Sequence, residues 1–136
     1  MILLDTNIIS EALRPNGDPA VRAWLDDQAI ETLYLFTITL GELRFGIAAM
    51  PIGQRRSALS RELDARVPPL FEGRLLPFDR AAADAYGALR AQARAAGRAI
   101  GTADGYIAGI AAARNLAVCT RDGGSFTAAG LRVIRP

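Results

Sequence analysis

The chain has 136 residues, 51% of them hydrophobic and 22% charged, a composition typical of one globular domain with its own core. It contains no histidine and no lysine, and all sixteen basic residues are arginine. These absences exclude a Ser-His-Asp triad, a zinc-peptidase motif, a Schiff-base enzyme and a Walker A nucleotide site. The net charge of +2 is too small to identify a polyanionic ligand by itself.

The single cysteine, Cys119, rules out an internal disulfide and a thiolate zinc site, and we expect it to lie in the core. No apolar stretch is long enough to cross a bilayer, and no basic segment precedes the first apolar run. The sequence therefore predicts a soluble, cytoplasmic protein with no signal peptide and no membrane contact.

The first half of the chain predicts a strand, two helices, a second strand and a third helix. Pro15 begins a break after the first short helix, and the pair Asp18 and Pro19 is typical of a helix start. Thr39 is expected to cap the third helix. The expected ranges are strand 1–4, a short helix ending before residue 15, helix 18–28, strand 32–38 and helix 39–50.

The second half predicts three helices and two or three strands. The pair Pro68 and Pro69 is expected to end the first of these helices, and Asp79 to cap an alanine-rich one that stops at Gly97. The expected ranges are helix 55–66, strand 75–78, helix 79–97, helix 102–114, strand 117–120 and a short strand at 131–134.

Strands and helices thus alternate along the whole chain, with no linker, repeat or low-complexity tract. Such alternation is typical of an α/β fold, in which a central parallel sheet is flanked by helices. We expect a single domain covering residues 1–136, with four to five parallel strands.

Four acidic residues are expected at one edge of this sheet. Asp5 and Asp122 come just after predicted strands, whereas Glu42 and Asp104 lie in the opening turns of two helices. Because helices begin at the edge where strands end, the four carboxylates should lie together. Crowded acids need a neutralising cation, and carboxylate oxygens prefer Mg²⁺ or Mn²⁺. The sequence therefore predicts a divalent-metal site suited to phosphodiester hydrolysis.

Three of these acids also have an explanation that involves no ligand. Asp5 fits the N-cap of the first helix, and Asp122 fits a turn before two glycines. Asp104 in a first helical turn gains ~0.3–1 kcal/mol from the helix dipole. Each explanation is adequate alone, but their convergence on one edge favours the cation site.

Glu42 has the strongest structural alternative. Thr39-x-x-Glu42 matches a capping box, in which the glutamate reaches back to the N–H of the cap. Glu42 also shares a helix face with Phe45, Gly46 and Ala49, and we expect that face to be buried. A carboxylate at the rim of a buried face favours the metal site.

The arginines form two stripes that are open to two interpretations. Either stripe would suit a nucleic-acid backbone, because the guanidinium group binds phosphate through two hydrogen bonds, but for each stripe alone a solvated helix face is the favoured interpretation. The first stripe is Arg55, Arg56, Arg61 and Arg66, and the second is Arg90, Arg94 and Arg98.

Four short blocks of the sequence resemble the signature blocks of PIN-domain ribonucleases. More specifically, the chain is similar to the VapC toxins of bacterial toxin-antitoxin pairs and to their FitB-like relatives. The similarity extends over essentially the whole chain. The blocks are Leu3-Leu4-Asp5-Thr6-Asn7, Thr39-x-x-Glu42-Leu43, Thr102-Ala103-Asp104-x-x-Ile107-Ala108 and Thr120-Arg121-Asp122.

The resemblance implies a three-layer PIN fold and a Mg²⁺- or Mn²⁺-dependent endoribonuclease that cuts RNA. It also implies a homodimer that is silenced by a cognate antitoxin and that meets DNA only through this antitoxin. Asp5, Glu42 and Asp104 correspond to the principal acidic ligands of the family.

The fourth acid departs from the common pattern of the family. Many relatives have an asparagine in place of Asp122 and an acid in place of Ser125, so the resemblance moves the fourth catalytic ligand to Asp122. Thr6 would orient the carboxylate of Asp5 or a bound water, and Thr120 and Ser125 would support the ligands.

A different class of function is also compatible with the resemblance. FitB-like proteins are associated with DNA-bound regulatory complexes, so the chain would then act as a nucleic-acid-binding subunit with a dormant active site. Metal-dependent cleavage by the isolated protein separates the two hypotheses.

Overall fold

Five short strands and seven helices alternate along the chain in a computed structural model that describes all 136 residues. The strands are β1 (Ile2–Leu4), β2 (Leu33–Phe36), β3 (Leu75–Leu76), β4 (Ala117–Cys119) and β5 (Val133–Ile134). The helices are α1 (Thr6–Leu13), α2 (Pro19–Asp26), α3 (Thr37–Ala48), α4 (Gln54–Leu70), α5 (Arg80–Ala95), α6 (Thr102–Ala113) and α7 (Gly124–Ala128), and a 3₁₀ turn covers Ile30–Thr32. None of the helices has the length and apolar character that crossing a bilayer requires.

The five strands form one parallel sheet in the order β3-β2-β1-β4-β5. Strand β1 lies at the centre, where Leu3 pairs with Tyr34 of β2 and with Val118 of β4. Parallel strands need crossover connections, which place helices on the faces of the sheet. The predicted α/β class and the parallel sheet are confirmed, and the optional fifth strand is present.

Two apolar clusters cover the two faces of the sheet, and the alternation of side chains along β1 separates them. Leu3 packs in one cluster with residues of α6 such as Ile110, whereas Leu4 packs in the other with Ile8 of α1 and Leu63 of α4. All five side chains are almost fully buried, and the burial of each contributes ~1.5–3 kcal/mol to stability. The molecule therefore has three layers, with helices on both sides of the sheet.

Helix α3 begins two residues before the predicted cap Thr39, and β2 ends correspondingly earlier. The N-cap is Phe36, which makes no side-chain capping bond. Thr39 is fully buried within the helix, and its hydroxyl accepts a hydrogen bond from the Thr6 hydroxyl at 3.2 Å. The predicted cap and its capping box with Glu42 are therefore wrong, because contact with α1 occupies the Thr39 hydroxyl.

Helix α4 continues through the Pro68-Pro69 pair and ends four residues later than predicted. The two prolines cannot donate to the carbonyls four residues earlier, but those carbonyls belong to Asp64 and Ala65, which are exposed residues, so the missing bonds cost less than they would in a buried helix. The buried Phe71 closes the helix, since its N–H donates to the Val67 carbonyl at 3.2 Å. The prediction that the prolines end this helix is wrong.

Two smaller differences concern the ends of the sheet. Strand β3 keeps two of its four predicted residues, and Pro77, which cannot donate to a ladder, follows it directly. Helix α7 was not predicted, because its first residue is Gly124, a weak helix former. It is held by Phe126, which is buried in the core.

Helices α5 and α6 pack together through two glycines that leave no room for a side chain. A Cβ placed on Gly109 would lie 2.7 Å from the Ala82 carbonyl oxygen and 3.0 Å from Tyr86 Cβ. On Gly105 it would lie 2.9 Å from Tyr86 Cε2. This close approach fixes α6 against α5, and the first turn of α6 carries Asp104.

Replacing Gly109 by alanine should destabilise the protein, because the added methyl group meets backbone atoms of α5 and must displace α6. We expect a lower melting temperature, since overpacking costs ~1–3 kcal/mol and exceeds the gain of about 1 kcal/mol in helix propensity. Thermal unfolding followed by circular dichroism measures the effect. Gly87→Ala is the matched control, because no atom lies within 4 Å of its Cβ position, and it should keep or raise the melting temperature. An unchanged melting temperature for Gly109→Ala would contradict the close packing.

Candidate active site

Asp5 lies at the end of the central strand and holds two structural hydrogen bonds. Its Oδ1 accepts from the N–H of Thr6 at 2.7 Å, which caps α1, and its Oδ2 accepts from the Thr120 hydroxyl at 2.8 Å. The Asp5 N–H also donates to the carbonyl of Cys119 at 2.9 Å, which ties it to β4. Asp5 is therefore both the predicted cap and a carboxylate fixed at the edge of the sheet.

Burial raises the pKa of Asp5 above its usual value, because desolvation penalises the charged form. The hydrogen bonds from Thr120 and Thr6 lower this pKa in part, whereas repulsion from Asp104 and Asp122 raises it further. No arginine forms an ion pair with Asp5, Glu42, Asp104 or Asp122. The carboxylate at the centre of the cluster is therefore half-buried and has no cationic partner.

Glu42 belongs to the same cluster. Desolvation of its carboxyl group raises its pKa, and repulsion from Asp5 and Asp104 raises it further, while the Thr6 hydroxyl lowers it. Glu42 as a whole residue is exposed, so the desolvation concerns the carboxyl end near Thr6. All three other acids thus interact electrostatically with Asp5, as the topology predicts.

The helix face on which Glu42 lies is not buried, contrary to the prediction. Phe45 is 75% exposed, and Gly46 and Ala49 are exposed as well. The face of α3 that packs on the core carries Leu40, Leu43 and Ile47 instead. The prediction failed because α3 is hydrophobic on more than one side, so the pattern of apolar residues does not select the buried face.

Thr120 is the polar centre of the site. It is fully buried, and its hydroxyl donates to Asp5 while it accepts from the Asn7 side-chain amide and from the Asp122 N–H, both at 3.2 Å. Asp122 itself is exposed and makes no side-chain hydrogen bond. The side chain of Ser125, at the start of α7, forms no hydrogen bond with any of the four acids.

Two residues at the site were missed by sequence reasoning. The amide of Asn7 joins Thr120 to the backbone N–H of Arg121, which donates to Asn7 Oδ1 at 3.3 Å. The guanidinium of Arg121 forms ion pairs with Glu11 and Asp18. Asn7 and Arg121 both lie inside the sequence blocks that resemble the family, but the resemblance implies roles only for their neighbours.

The donor set fits a hard divalent cation. It consists of carboxylate and hydroxyl oxygens, with no nitrogen or sulfur ligand, and the half-buried carboxylate of Asp5, which has no cationic partner, is at its centre. No three acidic or sulfur side chains approach closely enough to enclose an ion by themselves. Mg²⁺ commonly binds through one or two carboxylates and completes its shell with water and phosphate, so an open arrangement suits it.

A groove of about 610 Å³ begins beside the acids and runs between α1, α3 and α4. Thr6 and Glu42 line the end of the groove nearest the acids. The apolar side chains of Leu43, Ile47 and Leu59 line its walls. The groove therefore joins an apolar surface to the acidic cluster.

Residues 2–130 match the model of the PIN domain family. Over all of its 136 residues the chain is 54% identical to the VapC ribonuclease Y4jK of Sinorhizobium fredii and covers 97% of that protein. It is also 48% identical over its full length to the toxin FitB of Neisseria gonorrhoeae, of which it covers 98%.

The fold is similar to that of FitAB solved bound to an IR36 DNA fragment. The TM-score is 0.96 at 46% sequence identity, and the match covers 100% of this chain and 95% of the other. The family resemblance inferred from the four sequence blocks is confirmed by the family match, the identities and the fold. The chain belongs to the PIN-domain family.

Proposed function

We propose that the protein is a metal-dependent endoribonuclease and the toxin of a type II toxin-antitoxin pair. The observation that carries this proposal is the half-buried carboxylate of Asp5, which has three acidic neighbours and no cationic partner. Similarity to a VapC ribonuclease and to the toxin FitB supports the same reading.

Asp5, Glu42, Asp104 and Asp122 would hold Mg²⁺ or Mn²⁺. The bound ion would lower the pKa of a water molecule and offset the charge of the scissile phosphate. The chain's own residues fix the ligands: Thr120 orients Asp5 through its hydroxyl, and α6 holds Asp104 through its glycine contacts with α5. Thr6 lies between Asp5 and Glu42, where its N–H bonds to the first and its hydroxyl favours the charged form of the second.

We propose that the partner of this toxin is a cognate antitoxin that binds DNA. The chain itself would contact DNA only as part of the complex with this antitoxin. FitAB is solved bound to DNA, and the groove beside Glu42 suits a partner segment with apolar side chains. We also propose a homodimer. Phe45 is 75% exposed and Ile52 is 92% exposed, and a second copy of the chain would cover these large apolar side chains. A cytoplasmic location follows from an RNA target.

A thermal melt tests the cation site without any substrate. Burial and acidic neighbours raise the pKa of Asp5 above that of the unfolded chain, so this group favours folding at low pH, and that contribution is lost as pH rises through the folded pKa. At pH 7 and without metal, Asp104→Asn should therefore melt higher than wild type, because it removes one repelling charge. The gain should shrink as the pH falls and the carboxyls become protonated.

Manganese should reverse this order. An ion at a hundred times its dissociation constant stabilises the native state by ~2.7 kcal/mol, and a variant with a damaged site forfeits most of that. Asp84→Asn is the control, because Asp84 is exposed on α5 and makes no ion pair, so it should respond to Mn²⁺ like wild type. Equal Mn²⁺ shifts in wild type and Asp104→Asn would show that Asp104 is not a ligand.

The isolated protein should cleave single-stranded RNA in the presence of Mg²⁺ or Mn²⁺, and EDTA should stop the reaction. Asp5→Asn and Asp104→Asn keep the side-chain size but remove ligand charge, and each should reduce the cleavage rate by about a hundredfold or more. Gel analysis of end-labelled RNA measures the rate, with Asp84→Asn as the active control. Cleavage that persists in EDTA would contradict the metal mechanism, and metal-bound protein that binds nucleic acid without cutting it would favour the dormant binding subunit.

The antitoxin should inhibit through a basic side chain in its C-terminal part, placed among the carboxylates where it would compete with the cation. Replacing the basic residues of that part by glutamine should restore cleavage while the apolar contact in the groove preserves binding. Copurification and RNA cleavage by the same complex measure the two effects. Full inhibition by the glutamine-substituted antitoxin would argue against this mode of inhibition.

A further inference from the structure

Arg121 stands between Thr120 and the exposed Asp122, and its guanidinium group points away from the acidic cluster. One terminal nitrogen lies 2.8 Å from Glu11 Oε1 on α1, and the other lies 3.2 Å from Asp18 Oδ2 at the start of α2. The Glu11 side chain is only 13% exposed, whereas that of Arg121 is 45% exposed. The arginine therefore reaches from the surface to a sheltered carboxylate.

Glu11 is itself held in place by further contacts. Its Oε2 accepts from the N–H of Asp18 at 2.8 Å, and its Oε1 also accepts from Arg14 at 3.3 Å. These bonds fix the carboxylate across the turn between α1 and α2, so its orientation costs little additional entropy when Arg121 binds. Glu11 is thus a preformed anchor for the arginine.

The backbone of the Asp122 segment is held from two other sides. The Arg121 N–H donates to Asn7, and the Asp122 N–H donates to Thr120. On the far side, a Cβ on Gly123 would lie 2.6 Å from Val133 Cγ1 of β5, which shows how closely the segment follows that strand. The Asp122 carboxylate makes no bond of its own, so its position depends on this backbone.

We propose that Glu11 and Arg121 are positioning residues that hold the segment 120–123 so that Asp122 faces Asp5. The positioning of the segment 120–123 is a property of the fold and does not depend on the proposed function. The effect of this positioning on RNA cleavage rests on the proposed function. An exposed arginine beside an active site would also suit an RNA phosphate. The two carboxylates that engage both terminal nitrogens favour positioning, because a phosphate would have to displace them.

Hydrogen exchange measured by mass spectrometry tests the placement without metal, RNA or activity. In Glu11→Gln the ion pair loses its charge while the side-chain size is kept, so exchange in the segment 120–123 should accelerate by about tenfold. Glu62→Gln is the matched control, since it removes an i,i+4 pair with Arg66 at the same 2.8 Å distance on α4, and it should leave this segment unchanged. Unchanged exchange in Glu11→Gln, with the fold intact by circular dichroism, overturns the proposal.

A double-mutant cycle assigns the effect to the contact. Arg121→Gln also loses the ion pair with Asp18, so it should accelerate exchange at least as much as Glu11→Gln. The double variant should be no worse than Arg121→Gln alone, because the contact that Glu11→Gln breaks is already lost there. Additive effects would overturn the pairing of these two residues.

The cleavage assay adds the functional readout. Glu11→Gln should lower kcat by about tenfold and leave KM for RNA unchanged, because it misplaces a ligand and does not touch the substrate. If Arg121 instead binds a phosphate, Glu11→Gln should leave kcat intact and lower KM, and the proposal falls. If wild type does not cleave RNA at all, the proposed function fails, and the exchange data still decide the placement.

Discussion

The half-buried carboxylate of Asp5 is the constraint on which the site depends. Two neutral donors satisfy its oxygens, but no positive charge compensates it, and the other acids of the cluster add repulsion. Partial desolvation and repulsion between like charges both oppose folding, so the protein must supply stability elsewhere. The sheet does so, since its central strand is covered on both faces by close-packed apolar side chains.

The Thr120 hydroxyl shows how closely the site is specified. It has one hydrogen, directed to Asp5, and its lone pairs receive the Asn7 amide and the Asp122 N–H. A single buried group thus connects the ends of β1 and β4 with the segment that carries the fourth acid. Such fully satisfied networks favour one geometry over its neighbours, which is what a preorganised ligand set requires.

The sequence predicted well where a strong local pattern and the topology agree. The apolar run before Asp5 and the run before Thr120 are short and bounded by polar residues, as is typical of buried parallel strands, and strand ends in such a sheet share an edge. The placement of Asp5, Glu42, Asp104 and Asp122 around one point followed from that topology. The structure shows in addition that desolvation and the repulsion between these acids raise the pKa values of Asp5 and Glu42, which no sequence pattern predicts.

Three of the failures share a physical cause, since each depended on contacts between elements distant in the chain. The Thr39 hydroxyl accepts a hydrogen bond from Thr6 of α1 and lies inside α3, so it does not cap the helix as the capping-box pattern predicts. The exposed face of α3 is as apolar as a typical buried face. Only the elements that pack against α3 determine which of its faces is buried. The ion pairs of Arg121 are not evident from the sequence, because its partners, Glu11 and Asp18, lie more than a hundred residues away in the chain.

Cys119 has a practical consequence for experiments on this protein. The thiol is buried between β1 and the helices, and desolvation together with the charge of Asp5 raises its pKa to about 12. A thiol in this state has almost no thiolate at neutral pH and is inert toward alkylation and oxidation while the sheet is closed. Because it is the only cysteine, a maleimide or disulfide reagent can react only when the helices that cover this face, among them α1 and α4, move away from the sheet. The chain thus contains its own single-site reporter of the opening of the helix layer beside the acids.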